Sequence, residues 1–372
     1  MDMDEAITLT QERLAAEGDT MGDLLGHFRT RISPVLVGDR QWQRILECAA
    51  TLPITMGALP FGFELPLHDR RPEADLGASL ASGTRTAAFF RKRQRADGTD
   101  GTARAITRLF RQMDSENSAL RAIVGRKLML EYDIRSEGDV QCSRPGMFLR
   151  LGERPIVGAS GQANDVDIVV SALVSSVGWE ISDGEREHVR RAYLAQPEDT
   201  RMDSFGVFPS RSRSIRLAIM GFRSRDELCS YLDDTGWPGQ VSSVESVVDR
   251  FRERVDVVRT GANIDVFEEG LGPTLGLTLI VKQRYTKDSR YWLDGLTDWD
   301  PFLKALGHEK IVVPEKLNAL ASWISRPTPI FGRAGRYVLL RGIHHIKLVI
   351  SGSQLRGAKA YLFMVLSGAI SQ

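Results

Sequence analysis

Two strand-like runs joined by a short polar turn stand out near the end of the chain, in RYVLLRGIHHIKLVISGSQLRGAKAYLFMVL (residues 336–366). Apolar and polar side chains alternate on both sides of the turn at residues 351–354. Alternation with a period of two is typical of a β-strand that has one apolar and one polar face. Two strands joined by so few residues must run antiparallel.

The same arrangement occurs four more times earlier in the chain. The five predicted pairs are 61–69 with 74–81, 127–134 with 147–151, 203–208 with 213–222, 262–269 with 274–285, and 336–351 with 356–366. Segments with helical spacing separate each pair from the next. Closing the sheet removes its exposed edges. The sequence therefore predicts an α+β fold, a ten-stranded antiparallel closed barrel built from five α-β-β-α units with helices outside.

Length, composition and charge restrict the class of protein further. The chain has 372 residues, of which 42% are hydrophobic and 26% charged, and its net charge is +1. These fractions are those of an ordinary globular protein, and the small net charge gives no general attraction to nucleic acid or an anionic membrane. We expect residues 1–35 to form an N-terminal arm or helix and residues 36–372 to form a single barrel domain.

The cysteines and the chain start predict a soluble cytoplasmic protein. Cys48, Cys142 and Cys229 are far apart, odd in number and without a CxxC motif, so we expect reduced, buried thiols. The beginning of the chain does not look like a signal peptide. The late apolar stretch 361–370 is shorter than the roughly 20 residues that span a bilayer, so no membrane span is expected.

Strand parity predicts which side chains face the barrel interior. One step along a strand reverses the face, so the residues between the apolar, helix-facing positions point inward. On the later strands the predicted interior set is Arg216, Asp265, Phe267, Lys282, Arg284, His345, Lys347, Lys359, Tyr361 and Phe363. On the early strands the interior carries Glu64, Asp75, Glu131 and Asp133.

This interior is predicted to be a polar chamber that binds an anion. Lysine and arginine are almost never fully buried without partners, and the later strands supply five of them. Aromatic residues on the same face are better suited to a cavity than to solvent. The alternative is that one face of a half-open sheet simply meets water.

Familiar catalytic and metal motifs are absent from the sequence. There is no GxxxxGK[ST], HExxH, GxSxG, DDxxD or metal-spaced Cys/His cluster. His344 and His345 are adjacent on a predicted strand, so their rings should point to opposite faces and cannot share a metal ion. The basic run at residues 91–95 is predicted to be a solvated loop.

The five α-β-β-α units, the polar interior and the missing aspartate-rich motif resemble the soluble aromatic prenyltransferases of the ABBA, or PT-barrel, type. The resemblance extends from about residue 40 onward. Lys359-Ala360-Tyr361 looks like the Lys-x-Tyr strand pattern with which that family binds diphosphate and shields a carbocation. The resemblance implies an enzyme of secondary metabolism that moves a prenyl group from an allylic diphosphate to an aromatic acceptor, an indole, a phenol or a peptide side chain.

The resemblance also implies roles for individual residues. The diphosphate would be held by Arg216, Lys282, Arg284, Lys347 and Lys359, with Tyr361 adding a hydroxyl donor, because preorganised cations stabilise a leaving group in a water-poor site. Phe267, Phe363 and Tyr361 would shield the allylic cation, and Asp265 and His345 are also expected at the substrate. Glu64, or after it Glu131, would orient the acceptor and take its proton.

Several further expectations accompany this function. No cofactor should be obligatory, although magnesium could accompany the diphosphate. We expect a monomer or weak homodimer and no nucleic-acid partner. Two other functions stay open: a terpene cyclase on the same barrel, and a non-catalytic barrel that binds an anionic lipid or a peptide.

Overall fold

A computed structural model describes residues 3–134, 144–152, 154–281, 283–284, 296–297 and 299–368, without the side chains of residues 283, 284, 296, 297 and 326. Within these residues, ten strands form one closed antiparallel ring. They are Phe61–Pro66 (β1), Asp75–Ala81 (β2), Lys127–Tyr132 (β3), Gly146–Arg150 (β4), Arg201–Val207 (β5), Ile215–Phe222 (β6), Val257–Phe267 (β7), Gly270–Val281 (β8), Gly335–Ser351 (β9) and Gln354–Ser367 (β10).

Each strand of the ring pairs with the next one along the chain, and the pairing of β10 with β1 completes the circle. β8 pairs with β9 from Thr278↔Lys347 to Thr274↔Ser351, and β10 pairs with β1 from Tyr361↔Glu64 outward on both sides. Short strands lie outside the ring: Ser325–Gly332 pairs with β9, Ile156–Val157 pairs with β5, and Gln283–Arg284 pairs with Leu296–Thr297. The predicted closed barrel is therefore confirmed.

Helices separate the strand pairs and cover the outside of the barrel. In the described part of the chain they are Met3–Leu14 (α1), Met21–Gly26 (α2), Asp39–Ala49 (α3), Arg85–Ala96 (α4), Gly101–Asp114 (α5), Ala119–Val124 (α6), Ala163–Ser176 (α7), Asp183–Leu194 (α8), Arg225–Thr235 (α9), Val241–Arg252 (α10), Trp299–His308 (α11) and Pro314–Trp323 (α12). Short 3₁₀ turns lie at Arg29–Arg31 and Ile54–Ala58. Ser182 and Glu185 form a capping box at the start of α8.

The hydrophobic core lies between the barrel wall and the helices. The predicted helix-facing side chains are inaccessible to solvent, for example Leu217 on β6, Leu277 on β8 and Leu348 on β9. Each pleated strand thus places one apolar row against the helices and leaves the alternate row for the lumen. Leu14 and Met21 from the N-terminal 35 residues belong to the same hydrophobic cluster.

The prediction that the rings of His344 and His345 point to opposite faces is wrong. The register between β9 and β10 passes from Ile343↔Leu362 directly to His345↔Tyr361, so His344 is the extra residue of a β-bulge. A bulge breaks strict alternation, and here it brings the two Nδ1 atoms to 2.7 Å from each other. Beyond the bulge, His345 and Lys347 face the lumen as predicted.

Two other local predictions are corrected by the structure. Residues 91–95 belong to helix α4 and do not form a loop; Thr84 caps this helix, and Ala87 and Phe90 bury its inner face. Arginine, lysine and glutamine are good helix formers, so a charged run can form the outer face of a helix. Cys48 is disulfide-bonded, which contradicts the predicted reduced thiol, whereas Cys229 is a buried free thiol as expected.

No helix in the described part of the chain combines the length and the apolar character needed to cross a bilayer.

Candidate active site in the barrel lumen

The lumen contains a charged cluster to which seven of the ten strands or their turns contribute. Among the described residues, this charged lumen cluster has four cations and five carboxylates: Arg211, Arg216, Lys347 and Lys359, with Glu64, Asp75, Glu131, Asp133 and Asp265. The carboxylates of β1, β2 and β3 form one wall, and the lysines of β9 and β10 lie beside it. The predicted division into early acidic and later basic strands is visible in this arrangement.

A row of cross-strand partners links β9, β10, β1 and β2. His345 is opposite Tyr361, Tyr361 is opposite Glu64, and Glu64 is opposite Asp75. The His345 and Tyr361 rings stack with centroids 4.1 Å apart and an angle of 11° between their planes. The lumen therefore has a flat aromatic surface directly beside a carboxylate.

Two lysines lie next to this row on adjacent strands. Lys347 and Lys359 are cross-strand partners. Lys359 Nζ donates to Glu64 Oε1 at 2.5 Å, and Lys347 Nζ donates to the Tyr361 hydroxyl at 3.0 Å. Like charges directly opposite each other are unfavourable unless an anion lies between them. Lys347 is only 9% exposed and forms no ion pair with a described residue.

The charges around Glu64 determine its protonation. Burial would raise the pKa of the Glu64 carboxyl, but the ammonium groups of Lys359 and Lys347 hold it at about 2. Burial and the neighbouring Arg216 lower the pKa of Lys347 to about 8. Burial and the adjacent His344 and Lys347 lower the pKa of His345, so this imidazole is neutral at pH 7.

Arg216 and Asp265 form a second ion pair on the opposite side of the lumen. They are cross-strand partners on β6 and β7, and both Arg216 Nε and Nη2 bind the Asp265 carboxylate at 2.8 Å. The guanidinium also stacks on the Phe208 ring at 4.5 Å. This parallel two-bond geometry fixes Arg216 in the lumen with its charge neutralised.

The acidic wall contains two carboxyl groups that bind protons near neutral pH. Burial and the charge of Glu64 raise the pKa of Asp75 to about 7, although the Ile134 N–H that it accepts at 2.8 Å opposes this. Burial and Glu64 also raise the pKa of Glu131 to about 8, opposed by the nearby guanidinium groups. Because both groups face Glu64, the early strands concentrate negative charge that the protein only partly compensates.

Sequence reasoning missed three lumen residues. Arg211 lies in the turn between β5 and β6 and binds Glu131, with Nη2 to Oε1 at 2.9 Å. The Phe148 and Phe208 rings pack edge to face with centroids 5.1 Å apart inside this part of the barrel. Phe148 alternates with the buried Met147 and Leu149, so strand parity could have found it; a turn residue such as Arg211 has no comparable signal.

The remaining predicted site residues lie apart from the ion pairs or outside the described residues. Phe363 lies over Gly342, and Phe267 lies over Gly272 in the β7–β8 hairpin. Lys282 is outside the described residues, and so is the side chain of Arg284. In the described ranges, no group of three or more His, Cys, Asp or Glu side chains is placed to hold a metal ion, and magnesium dependence stays a prediction.

This lumen, enclosed by ten antiparallel strands and an outer layer of helices, has PT-barrel architecture. No protein-family model matches the chain, and no curated protein matches it in sequence. Among solved structures, the chain is similar to 5-dimethylallyl tryptophan synthase from Streptomyces coelicolor in complex with DMASPP and Trp. The two share 12% identity with a TM-score of 0.51, over 96% of this chain and 98% of that one.

A second solved structure gives the same picture. The apo form of prenyltransferase PriB is 15% identical with a TM-score of 0.50, over 94% of this chain and 96% of the other. At such identities the likeness is one of fold. The resemblance to aromatic prenyltransferases inferred from the strand rhythm is confirmed at the level of architecture.

Proposed function

We propose that the protein transfers a prenyl group from an allylic diphosphate to an aromatic acceptor inside its barrel. The observation that carries this proposal is the pair of neighbouring lysines, the buried Lys347 and the half-buried Lys359, beside the Tyr361 ring and the Glu64 carboxylate. The fold supports it, because the Streptomyces coelicolor enzyme of the same architecture is bound to DMASPP and Trp.

The lysines suit the bond-breaking step. The C–O bond between the allylic carbon and the diphosphate breaks, and the electron pair leaves with the diphosphate. Lys347 and Lys359 lie on adjacent strands with three N–H donors each, so both can bind phosphate oxygens as negative charge develops there. Arg216 can join them from β6, and Lys282 and Arg284 stay predicted members of this set. In a site of low effective dielectric these charges act more strongly than in water.

The aromatic surface suits the cation that is left. Tyr361 and His345 present a stacked pair of rings, and a ring face attracts a nearby cation through its quadrupole. The Tyr361 hydroxyl also accepts a hydrogen bond from Lys347, so Tyr361 contacts both the proposed diphosphate site and the proposed carbocation site. Phe363 and Phe267 are proposed to extend this apolar lining.

Glu64 and Glu131 are proposed to have different roles at the acceptor, one in binding it and the other in accepting its proton. Glu64 stays ionised because Lys359 and Lys347 hold its pKa at about 2, which suits a fixed acceptor for an indole N–H or phenol O–H. A general base works best when its pKa is near the operating pH. Glu131, with a pKa raised to about 8, meets that requirement better, so we assign it the proton that the aromatic ring loses.

The test is product analysis with the purified protein. We expect incubation with dimethylallyl, geranyl or farnesyl diphosphate and a panel of indoles, phenols and aromatic peptides to give a prenylated acceptor and free diphosphate, detected by mass spectrometry. Cyclised or hydrolysed prenyl products formed without an acceptor would favour the terpene cyclase. Diphosphate binding without turnover would favour the binding protein.

Two variants test the anion site directly. Lys347→Met and Lys359→Met should each weaken binding of a thiolodiphosphate probe by about 10- to 100-fold, the usual worth of a hydrogen bond to a charged group. Lys304→Met, at an exposed position on α11, is the matched control and should bind as the wild type does. Unchanged probe binding in both lumen variants would contradict the proposal.

A further inference from the structure

Arg211 connects the turn between β5 and β6 to the acidic wall on β3. Its Nη2 donates to Glu131 Oε1 at 2.9 Å, and its Nε donates to Asp133 Oδ2 at 2.8 Å. A further contact joins Nη2 to Asp133 Oδ1, and Ser210 Oγ lies 3.3 Å from Asp133 Oδ2. The guanidinium thus binds two carboxylates of another strand with several donors at once.

These contacts join parts of the barrel that are not neighbours in the sheet. Arg211 follows β5 in the chain, and β4 lies between β5 and β3 in the ring, so the side chain reaches past β4 to the acidic wall. The Phe208 ring packs against the Arg211 guanidinium, whose carbon lies 4.0 Å from the ring centroid. The Phe208 ring itself lies over Gly146 on β4, where a Cβ atom would be only 2.6 Å from it. Arg211 is therefore held between an aromatic face and two carboxylates, a geometry that a lysine cannot reproduce.

The surroundings of Glu131 show what this guanidinium does. Negative groups face it from β1, β2 and the end of β3, and positive groups face it from β6, β9 and β10: Glu64, Asp75, Asp133, Arg216, Lys347 and Lys359. Arg216 is already bound through two hydrogen bonds to Asp265. Lys359 is bound to Glu64. Among the described residues, Arg211 is the cation in direct contact with the Glu131 carboxylate.

We propose that Arg211 is a positioning residue that holds the Glu131 carboxylate toward the lumen in a form able to accept the acceptor's proton. This inference rests on the proposed function. In the transfer step the electrons of the acceptor ring or heteroatom form a bond to the allylic carbon that the diphosphate has left. The C–H or heteroatom–H bond at the acceptor atom then breaks, its electron pair stays on the acceptor, and the proton passes to the ionised Glu131. Without Arg211, burial and the neighbouring carboxylates would raise the Glu131 pKa further, so a smaller fraction of Glu131 would be ionised and able to accept a proton.

The direct test is the titration of Glu131 by ¹³C NMR in protein labelled at the glutamate carboxyl carbons, with Glu131→Gln to assign the signal. In Arg211→Gln we expect the Glu131 midpoint to rise by about one pH unit or more, since a guanidinium in contact lowers a carboxyl pKa by about that much. Arg211→Lys keeps the charge and should show a smaller rise. Arg213→Gln is the matched control, because Arg213 leaves the same turn but binds Glu185 outside the lumen.

Activity gives a second measurement. The acidic limb of the pH dependence of kcat/KM should move to higher pH in Arg211→Gln, stay in place in Arg213→Gln, and vanish in Glu131→Gln. A Glu131 midpoint that does not move in folded Arg211→Gln, or in Arg211→Lys if the glutamine variant does not fold, would overturn the inference. The titration needs no substrate: a midpoint that moves in a protein without prenyl transfer would reject the proposed function and leave the control of Glu131 by Arg211 standing.

Discussion

Glu64 and Glu131 lie in the same lumen and differ in how the protein compensates their charge. Glu64 is bound to Lys359, with Lys347 close by, and both cations keep it ionised. Arg211 binds both Glu131 and Asp133, and burial together with the charge of Glu64 raises the pKa of Glu131. Two carboxylates of the same type are thereby suited to different tasks, one to binding and the other to proton transfer.

Asp75 is the carboxylate of this wall that has no cation in contact with it among the described residues. Its pKa is raised to about 7, so the folded protein holds the proton more firmly than the unfolded chain, whose value is about 3.9. Stability should therefore fall as the pH rises from about 4 to 7 and stay lower above that.

We expect Asp75→Asn to remove this pH-dependent loss. The amide oxygen can still accept the Ile134 N–H, and no charge is buried opposite Glu64. At pH 8 the variant should be about 1 to 2 kcal/mol more stable than the wild type in urea unfolding, and the difference should disappear near pH 4. Asp19→Asn, at an exposed carboxylate, is the control and should show neither effect. A variant less stable than the wild type at pH 8 would contradict this account.

Strand parity predicted most of the lumen side chains, because once the apolar face of a strand is recognised the alternate residues must face the lumen. Glu64, Arg216, Lys347 and Tyr361 could be placed inside without knowing any neighbour. Their partners could not, because pairing depends on register: Arg216 meets Asp265 only because the two are opposite each other on β6 and β7. The protonation of Glu131 likewise depends on residues that are distant in sequence.

Among the secondary-structure elements, β9 shows where alternation fails. The bulge at His344 changes which parity faces the helices, so Arg341 and Ile343 before it and Ile346 after it all lie on the outer side. β8 shows a second kind of failure: it begins at Gly270, although Gly272 and Pro273 resemble a turn in the sequence. Glycine and proline weaken strand signals even where tertiary pairing makes a strand.

Helix α12 is tied to the β1–β2 connection by a buried lysine. Lys316 is fully buried, and its Nζ donates to the carbonyl oxygens of Pro66 and Arg71 at 2.7 Å each. Nearby, the Val313 N–H donates to the carbonyl of Leu67 at 2.8 Å. The hairpin that carries Glu64 and Asp75 is thus anchored from outside the barrel.

Lys316→Met should loosen this anchor. Two carbonyl groups lose their hydrogen-bond donor, which costs about 1 to 3 kcal/mol in the free energy of unfolding. Urea unfolding should show this loss, and hydrogen exchange should show faster exchange in residues 66–75. Lys304→Met on the exposed side of α11 should change neither measurement. Wild-type stability and protection in Lys316→Met would show that the anchor is dispensable.

For the molecule as a whole, closure could be predicted from sequence because a ring of ten paired strands leaves neither edge exposed. What the sequence could not give is the balance of charge inside the ring. Among the described residues of the charged lumen cluster, four cations face five carboxylates. An entering diphosphate adds negative charge, which raises the pKa of Asp75 above its value of about 7, so this carboxyl group can take up a proton.

Binding of a thiolodiphosphate probe should therefore be coupled to proton uptake. Calorimetry at pH 7 in buffers of different ionisation enthalpy should give net uptake, which the Asp75→Asn variant should reduce. Affinity should fall by about tenfold between pH 7 and 9, as Asp75 and Glu131 ionise and Lys347, with its pKa of about 8, loses its proton. Proton release on binding, or affinity that rises over this range, would contradict the predicted coupling.

The pairing of β1 with β10 has a consequence for biosynthesis. Phe61–Pro66 leaves the ribosome almost three hundred residues before Gln354–Ser367, the strand that covers its open edge. Until then the backbone groups at this edge of β1 are unpaired and can pair with a strand of another chain. Contacts between residues this distant in sequence also form slowly. Protection of that edge during translation, by a chaperone or by the N-terminal helices, is therefore a requirement that the finished ring no longer reveals.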